Sequence, residues 1–153
     1  MLTVKTELKN SSVAGLGVFA TEFIQKGALV WILAEDLDRV FTRDDVNIFS
    51  KDECVFLYKY ATIGAKHLDT LILAVDNARF INHSDTPNIE YSKSGGVVEY
   101  PCKSLRDIRV GEEITQNYNE FQTGDFVGIW HQIMEAWRLL ASHEDRPQFW
   151  KGI

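Results

Sequence analysis

The chain has little cysteine: Cys54 and Cys102 are the only two among 153 residues, and they lie far apart. A structural zinc site needs about four thiolate or imidazole ligands at short local spacings. No C-x-x-C pair or Cys/His cluster supplies them, so we predict no metal site. One disulfide is arithmetically allowed, but nothing in the sequence indicates an oxidising compartment.

Long apolar runs and an excess of basic residues are also missing. No segment approaches the roughly 18–20 apolar residues of a membrane span, and the start of the chain lacks the apolar core of a signal peptide. We therefore expect a soluble, cytoplasmic protein with no membrane partner; export to a host cell is left open. The formal net charge of −6 argues against general nucleic-acid binding, which needs a basic surface, and suits a cationic partner such as a lysine-rich peptide.

The remaining composition is that of one globular domain, with 45% apolar and 25% charged residues. Short β-branched and aromatic runs predict strands at residues 3–8, 18–21, 29–33, 71–75, 89–92, 97–100, 105–108 and 114–116. Residues 35–50 are polar and acidic and are interpreted as a surface excursion. Ser50 and Glu53 have capping-box spacing, which predicts a helix from Lys51 to about Tyr60. Together these patterns predict a mainly-β α+β domain.

The C-terminal third has a different, helical pattern. Apolar residues recur there at spacings of three and four, which predicts an amphipathic helix. The residues that carry this pattern are Phe126, Trp130, Ile133, Met134, Trp137, Leu140 and Ala141. Such a helix could close over a site, form a dimer interface or simply complete the core, and the sequence does not choose among these roles.

Three short segments are candidates for chemistry: Gly15-Leu16-Gly17, the run from Arg79 to Asn88 that contains Asn82-His83, and the run from Gly111 to Tyr118. A serine–histidine–aspartate triad within 82–85 is disfavoured, because adjacent residues cannot easily align a nucleophile, base and orienting acid. A structural Asn-His turn is the simpler alternative. The Gly-x-Gly lacks the third glycine and the strand–helix unit of a dinucleotide-binding fold, but glycines permit close backbone approach to a ligand.

In this order and spacing, the three segments resemble the signature motifs of SET-domain lysine methyltransferases. The resemblance covers roughly residues 1–122, with an inserted segment at about 35–70. It implies the SET (β-clip) fold of small curved sheets with a threaded C-terminal segment. Residues 123–153 would then be a C-terminal helical extension within the same structural unit.

The resemblance also implies a cofactor, S-adenosylmethionine, and roles for individual residues. Tyr118 would be catalytic, with its hydroxyl beside the transferring methyl group. The implied cofactor-binding residues are Gly15, Leu16, Gly17, Arg79, Asn82, His83 and Tyr118. Candidates for the substrate channel are Tyr58, Tyr60, Tyr91 and Gln116, and candidates for stacking on adenine are Phe121, Phe126 and Trp130.

The chain departs from many chromatin-modifying members at two points. Asp85 stands where those members have a zinc-binding cysteine, and no cysteine follows Cys102, so both halves of that zinc site are missing together. Gln116 stands where several histone methyltransferases have Phe or Tyr, which leaves the degree of methylation undetermined. The resemblance therefore implies a zinc-free member, of the compact bacterial or viral type.

These observations lead to a functional hypothesis. We expect a protein-lysine N-methyltransferase, monomeric or homodimeric, acting on a protein or peptide lysine, histone-like peptides included. The alternative from another class is a catalytically silent SET-like module that binds a peptide or partner protein. Methylation of a non-protein amine is a third option.

Overall fold

The computed structural model describes residues 1–66, 70–93, 95–96 and 99–120, without the side chains of Arg43 and Glu120. These residues form β1 (Thr6–Asn10), β2 (Leu16–Ala20), β3 (Leu29–Trp31), β4 (Arg39–Phe41), α1 (Arg43–Asn47), α2 (Lys51–Tyr60), β5 (Thr62–Ile63), β6 (Leu71–Leu73), β7 (Asn82–His83), β8 (Ile89–Tyr91), β9 (Cys102–Ser104) and β10 (Glu113–Gln116), with 3₁₀ turns at Asn77–Phe80 and Tyr118–Glu120. The predicted C-terminal helix, with Phe121, Phe126 and Trp130, lies outside the described residues. The expected mainly-β α+β fold is confirmed.

A seven-stranded sheet, in the order β1-β2-β10-β8-β9-β3 with β7 also paired to β10, forms the larger layer. Strand β10 is its organising element, because it runs antiparallel to β2 and parallel to β7 and β8. Burial does not alternate along β10 as it does in a strand with one exposed face, because Ile114, Thr115 and Gln116 are all buried. A strand that is covered on both faces reads as a continuous buried run.

A smaller sheet, in the order β4-β6-β5, carries both α-helices. Helix α2 begins at the capping box that the sequence predicts: Ser50 Oγ accepts from the Glu53 N–H, and the Glu53 carboxylate accepts from the Ser50 N–H at 2.7 Å. This helix is confirmed over Lys51–Tyr60. It packs Cys54, Leu57 and Tyr58 against the sheet.

Each sheet has its own core. The larger core contains fully buried aliphatic side chains on β2, β3, β8 and β10, including Val18, Val30, Ile89 and Ile114, and it includes Trp31. The smaller core gathers Val46, Cys54, Leu57, Tyr58, Ile63 and Leu71. Burial of each large aliphatic side chain contributes about 1.5–3 kcal/mol to folding. Cys54 and Cys102 are both free thiols and lie in different cores.

The strand that follows β8 begins later than the sequence predicts. The partner of β8 is β9 (Cys102–Ser104), whereas a strand was expected at residues 97–100; of these, Val97 and Val98 lie outside the described residues. The reason lies in the backbone donors. The Tyr100 N–H bonds to the carboxylate of Glu99, and Pro101 has no N–H, so the ladder starts only at Cys102. The strand expected at 105–108 is likewise reduced to one bridge between Ile108 and Ile24.

The predicted surface excursion at residues 35–50 is wrong in part, since it contains β4 and the short helix α1. Thr42 caps α1, and the Asp45 carboxylate accepts from the Thr42 N–H at 2.7 Å. The sequence carried this signal as Thr42-x-x-Asp45, a capping box with aspartate in place of the usual glutamate or glutamine. The helix is too short to show an apolar repeat, so only its cap could have revealed it.

Candidate active site

The three candidate segments meet around β10. On one side, Ile114 pairs with Val18, next to Gly17 in β2. On the other side, Thr115 pairs with Asn82 and Gln116 pairs with His83 in β7. The chain then turns directly into the 3₁₀ segment that contains Tyr118. Segments that are far apart in sequence therefore meet on β10 and the two strands paired with it, β2 and β7.

The glycine segment forms the turn between β1 and β2. The Ser11 N–H donates to the Gly15 carbonyl at 2.8 Å, and Gly15 has a φ of +46°, a left-handed conformation that glycine adopts without steric cost. Gly17 is required for another reason. A Cβ atom at Gly17 would lie 2.2 Å from Oε1 of Glu113, so the carboxyl group occupies the space that any side chain would need.

The amide of Asn82 connects the other two segments to this turn. Its Nδ2 lies 2.8 Å from Glu113 Oε1, 3.1 Å from the Leu16 carbonyl and 3.2 Å from the Ala14 carbonyl. All three neighbours are acceptors, so the nitrogen must face them. Within the described part of the chain, every hydrogen bond of this side chain uses that nitrogen, and Oδ1 remains as an acceptor for a donor from outside.

The backbone and the hydroxyl of Tyr118 both form hydrogen bonds to the residues on either side of Asn82. Its backbone N–H donates to Nδ1 of His83 at 3.1 Å, and its hydroxyl donates to the Ile81 carbonyl. The rings of Tyr118 and His83 lie 5.4 Å apart between centroids. Burial of the phenol raises the pKa of Tyr118 above its ordinary value. The hydroxyl therefore stays protonated at physiological pH.

Comparison with known proteins agrees with this arrangement. The model of the SET domain family matches residues 15–119, well over half of the chain. The chain belongs to the SET-domain family. The resemblance in its three motifs is thereby confirmed.

Individual relatives of this SET domain are distant. A curated histone-lysine N-methyltransferase of Schizosaccharomyces pombe, set9, is 30% identical over 103 residues, which are 67% of this chain and 21% of that protein. The chain thus spans about a fifth of the length of this relative.

Solved structures show the same fold. A Plasmodium falciparum structure described as a histone methyltransferase matches with a TM-score of 0.53 at 24% identity, over 76% of this chain and 95% of that one. A humanized mutant of the Chaetomium thermophilum Polycomb Repressive Complex 2 matches with a TM-score of 0.56 at 19% identity, over 76% of this chain and 15% of that one. At these identities, the likeness concerns the fold.

The SET domain brings two of the expected channel residues, Tyr91 and Gln116, together beside Cys102. Tyr91 pairs with Cys102 across β8 and β9, and Gln116 Nε2 lies 3.6 Å from Cys102 Sγ. Burial raises the pKa of Tyr91 well above its ordinary value, and the nearby thiol and the Tyr118 phenol raise it further. Tyr91, Gln116 and Tyr118 therefore belong to one region, in which Gln116 is buried and both tyrosines are half-buried.

The other expected channel residues lie elsewhere. Tyr58 is 7% exposed and belongs to the smaller core. Tyr60 is half-buried, with its ring edge-to-face against Phe80 at 5.8 Å and tilted against Phe56 at 5.0 Å. Tyr60 thus links α2 to the motif segment, whereas Tyr58 stabilises the smaller sheet.

Arg79, expected to bind the cofactor, is an exposed residue that contacts the protein's own backbone. Its guanidinium donates to the Val75 carbonyl at 2.8 Å and lies 5.0 Å from the centre of the Phe80 ring. These contacts close the 3₁₀ turn just before Asn82. A cofactor-binding role for Arg79 stays a prediction.

Asn88, at the end of the second candidate segment, has a structural role for which the sequence contained no residue-specific clue. It is 1% exposed; Nδ2 donates to the Glu113 carbonyl at 2.7 Å, and Oδ1 accepts from the Thr115 N–H at 2.8 Å. The Asn88 side chain amide thereby satisfies two backbone groups of β10. The sequence signal was an amide next to the apolar run of β8, which is ambiguous without the fold.

Two further features concern the described ranges only. They contain no group of three or more His, Cys, Asp or Glu side chains placed to hold a metal ion. No helix in them is both long and apolar enough to cross a bilayer.

Proposed function

We propose that this SET domain is a protein-lysine N-methyltransferase that uses S-adenosylmethionine. The observation that carries the proposal is the convergence on β10: Asn82 is bonded to the glycine turn and to Glu113, while Tyr118 is held by Ile81 and His83. A fold alone would not require these contacts. They bring the candidate cofactor residues of β2 and β7 close to the candidate catalytic residue, which follows β10.

The residues around Asn82 fit the amino-acid portion of such a cofactor. An ammonium group needs hydrogen-bond acceptors, and the orientation of the Asn82 amide presents Oδ1 as one. The neighbouring turn has an exposed Gly15 and an exposed Leu16, so its backbone is accessible to a ligand. Gly15, Leu16, Gly17, Asn82 and His83 are the residues that we propose to hold the cofactor.

When bound, the cofactor supplies an electrophilic methyl group on a sulfonium. The protein must then present a neutral amine. A lysine side chain has a pKa near 10.4, so at pH 7.4 its neutral form costs about 4 kcal/mol. A dry, apolar channel lowers this cost because it disfavours the ammonium ion. We propose that the region of Tyr91, Gln116 and Tyr118 forms the inner end of the channel that receives the lysine side chain.

Tyr118 is proposed to orient the amine. Its hydroxyl hydrogen goes to the Ile81 carbonyl, so its oxygen faces other groups as an acceptor. An amine N–H that donates to this oxygen has its lone pair directed away from the phenol, toward the methyl group. Correct orientation of two reactants supplies much of the rate in such transfers.

A lysine-rich substrate is the first class to test. The chain has a formal net charge of −6, and charge complementarity speeds encounters with a cationic peptide. The fission yeast relative bears the name of a histone-lysine N-methyltransferase. We therefore propose histone tails as the first substrates, next to a whole-cell protein extract.

The decisive experiment uses methyl-labelled S-adenosylmethionine with purified histones and with an extract, followed by mass spectrometry of the labelled residues. We expect label on lysine and formation of the demethylated cofactor. Calorimetry should show one cofactor per chain, with binding weakened about tenfold or more in Asn82→Ala. Asn119→Ala, an exposed change near the site, is the matched control. Absence of binding heat with both the cofactor and its demethylated product would refute the enzyme assignment.

A further inference from the structure

Glu113 connects all parts of the proposed cofactor site without any role assigned to it so far. Its Oε1 accepts from Asn82 Nδ2 at 2.8 Å, and its Oε2 accepts from Ser11 Oγ at 2.9 Å. Ser11 belongs to the turn that contains Gly15, and its Oγ also accepts from the Val13 N–H at 2.9 Å. One carboxylate thereby joins the turn between β1 and β2 to β7.

We propose that Glu113 is a positioning residue that sets the orientation of the Asn82 amide for cofactor binding; this rests on the proposed function. The Leu16 and Ala14 carbonyls lie 3.1 and 3.2 Å from Nδ2, farther than the carboxylate at 2.8 Å. A hydrogen bond to a charged acceptor is roughly twice as strong as one between neutral groups. Glu113 is therefore the strongest of the three groups that keep the nitrogen inward and Oδ1 outward.

Gly17 supports the same assignment from the other side. The Glu113 carboxyl group lies against the α-carbon of Gly17, where a Cβ would come within 2.2 Å of Oε1 and 2.8 Å of Cδ. The second glycine of the Gly-x-Gly segment thus makes room for this carboxylate. Any side chain at residue 17 must therefore displace this carboxylate from the position in which it accepts from Asn82.

Glu113→Ala tests the proposal. With the strongest of the three acceptors that orient the Asn82 amide removed, we expect the cofactor Kd and KM to rise about tenfold or more, with kcat within about threefold of the wild type. Glu113→Gln keeps an oxygen acceptor for Nδ2 and an amide for Ser11 Oγ, so it should restore affinity to within about threefold. A purely structural role would lower the melting temperature without this division between KM and kcat.

Gly17→Ala is a second test of the role of Glu113. Alone, it should weaken cofactor binding about as much as Glu113→Ala, because it displaces the same carboxylate. In the Gly17→Ala/Glu113→Ala double variant, binding should be little weaker than in Glu113→Ala alone, since the clash with the carboxylate has gone and only the close contact with Ser11 Cβ at 3.0 Å remains. Ser11→Ala should weaken binding about twofold to threefold, whereas its neighbour Ser12→Ala, an exposed residue, should leave it unchanged.

The outcomes separate this inference from the proposed function. If the wild type binds no cofactor, the proposed function fails. If the wild type binds and folded Glu113→Ala binds within about twofold of it, the positioning role is overturned. If Glu113→Ala does not fold, Gly17→Ala decides, and unchanged cofactor affinity in that variant would overturn the role. If both single variants fold, additive losses of affinity in the double variant would overturn it as well.

Discussion

The backbone N–H of Tyr118 donates to Nδ1 of His83 at 3.1 Å, and this contact determines the state of the imidazole. Because Nδ1 accepts, the neutral ring carries its hydrogen on Nε2, which lies 3.2 Å from Asp85 Oδ1. The imidazole thus holds the main chain of Tyr118, while the Ile81 carbonyl holds its hydroxyl. The backbone and the hydroxyl of the proposed catalytic residue are therefore both held by the segment from Ile81 to His83.

Tyr118→Phe removes one hydroxyl and keeps the ring. If the hydroxyl oxygen orients the amine in the transition state, kcat should fall about 100-fold or more, while cofactor affinity changes little. A structural tyrosine would instead lose about 1 kcal/mol of stability and keep its activity in the folded fraction. Turnover, cofactor Kd and melting temperature on the same preparation distinguish the two roles. Turnover near that of the wild type would exclude the catalytic role.

Replacements of His83 test whether the ring positions Tyr118. His83→Asn places a side chain oxygen near the site of Nδ1 and can still accept from the Tyr118 N–H, whereas His83→Leu cannot. We expect kcat to fall about tenfold in His83→Leu, and clearly less in His83→Asn. Asp85→Ala is the control, because this aspartate is exposed and its loss removes the contact at Nε2 but keeps the one between Nδ1 and the Tyr118 N–H. Equal losses in both His83 variants would contradict the role.

Alkaline pH should destabilise the fold through its buried phenols. Burial raises the pKa values of Tyr91 and Tyr118 in the folded protein above the value of about 10 in the unfolded chain. The unfolded chain loses these protons first, so their contribution is complete below about pH 10 and is lost as the pH rises toward the folded pKa values. The free energy of unfolding should fall by up to about 1.4 kcal/mol per pH unit for each tyrosine.

Urea unfolding from about pH 9 to pH 11 measures this slope. Tyr118→Phe should reduce it by up to about 1.4 kcal/mol per pH unit, and Tyr91→Phe by a similar amount. Burial also raises the pKa of the Cys54 thiol, which adds a decline of the same sign beginning at lower pH. Identical slopes in the wild type and both variants would show that these phenols ionise equally in the folded and unfolded states.

Asn88→Ala should be among the most destabilising single changes in the described part of the chain. It leaves the Thr115 N–H and the Glu113 carbonyl without the amide that satisfies them, at a site that is 1% exposed. Each unsatisfied buried group costs about 1–3 kcal/mol, so the total for the two groups should be about 2–6 kcal/mol. Asn88→Asp keeps the acceptor but points a carboxylate at the Glu113 carbonyl, and it should destabilise as well.

Chemical denaturation measures these changes, with the exposed Asn119→Ala as a control within about 0.5 kcal/mol of the wild type. If Asn88→Ala unfolded at the same denaturant concentration as the wild type, the assignment of Asn88 as a buried link to β10 would be wrong.

Local signals in the sequence were sufficient for features that depend on neighbouring residues. The Ser50 and Glu53 capping box predicted α2 with its observed ends, because a cap satisfies backbone groups within one turn of itself. The order and spacing of the three motif segments were sufficient for the family, since these residues lie within its matched range of 15–119. Composition and strand-length runs predicted the mainly-β class.

Tertiary structure decided whatever depends on residues far apart in the chain. Gly17 is small because a carboxylate 96 positions later occupies the adjacent space, and no local pattern encodes that contact. Tyr58 and Tyr91 have the same side chain, yet one belongs to the smaller core and the other lies beside Cys102 near Tyr118. Strand pairing caused these differences, because register sets which distant side chains meet. The sequence by itself determined the family and α2; only the folded sheet decided which residues form the candidate site.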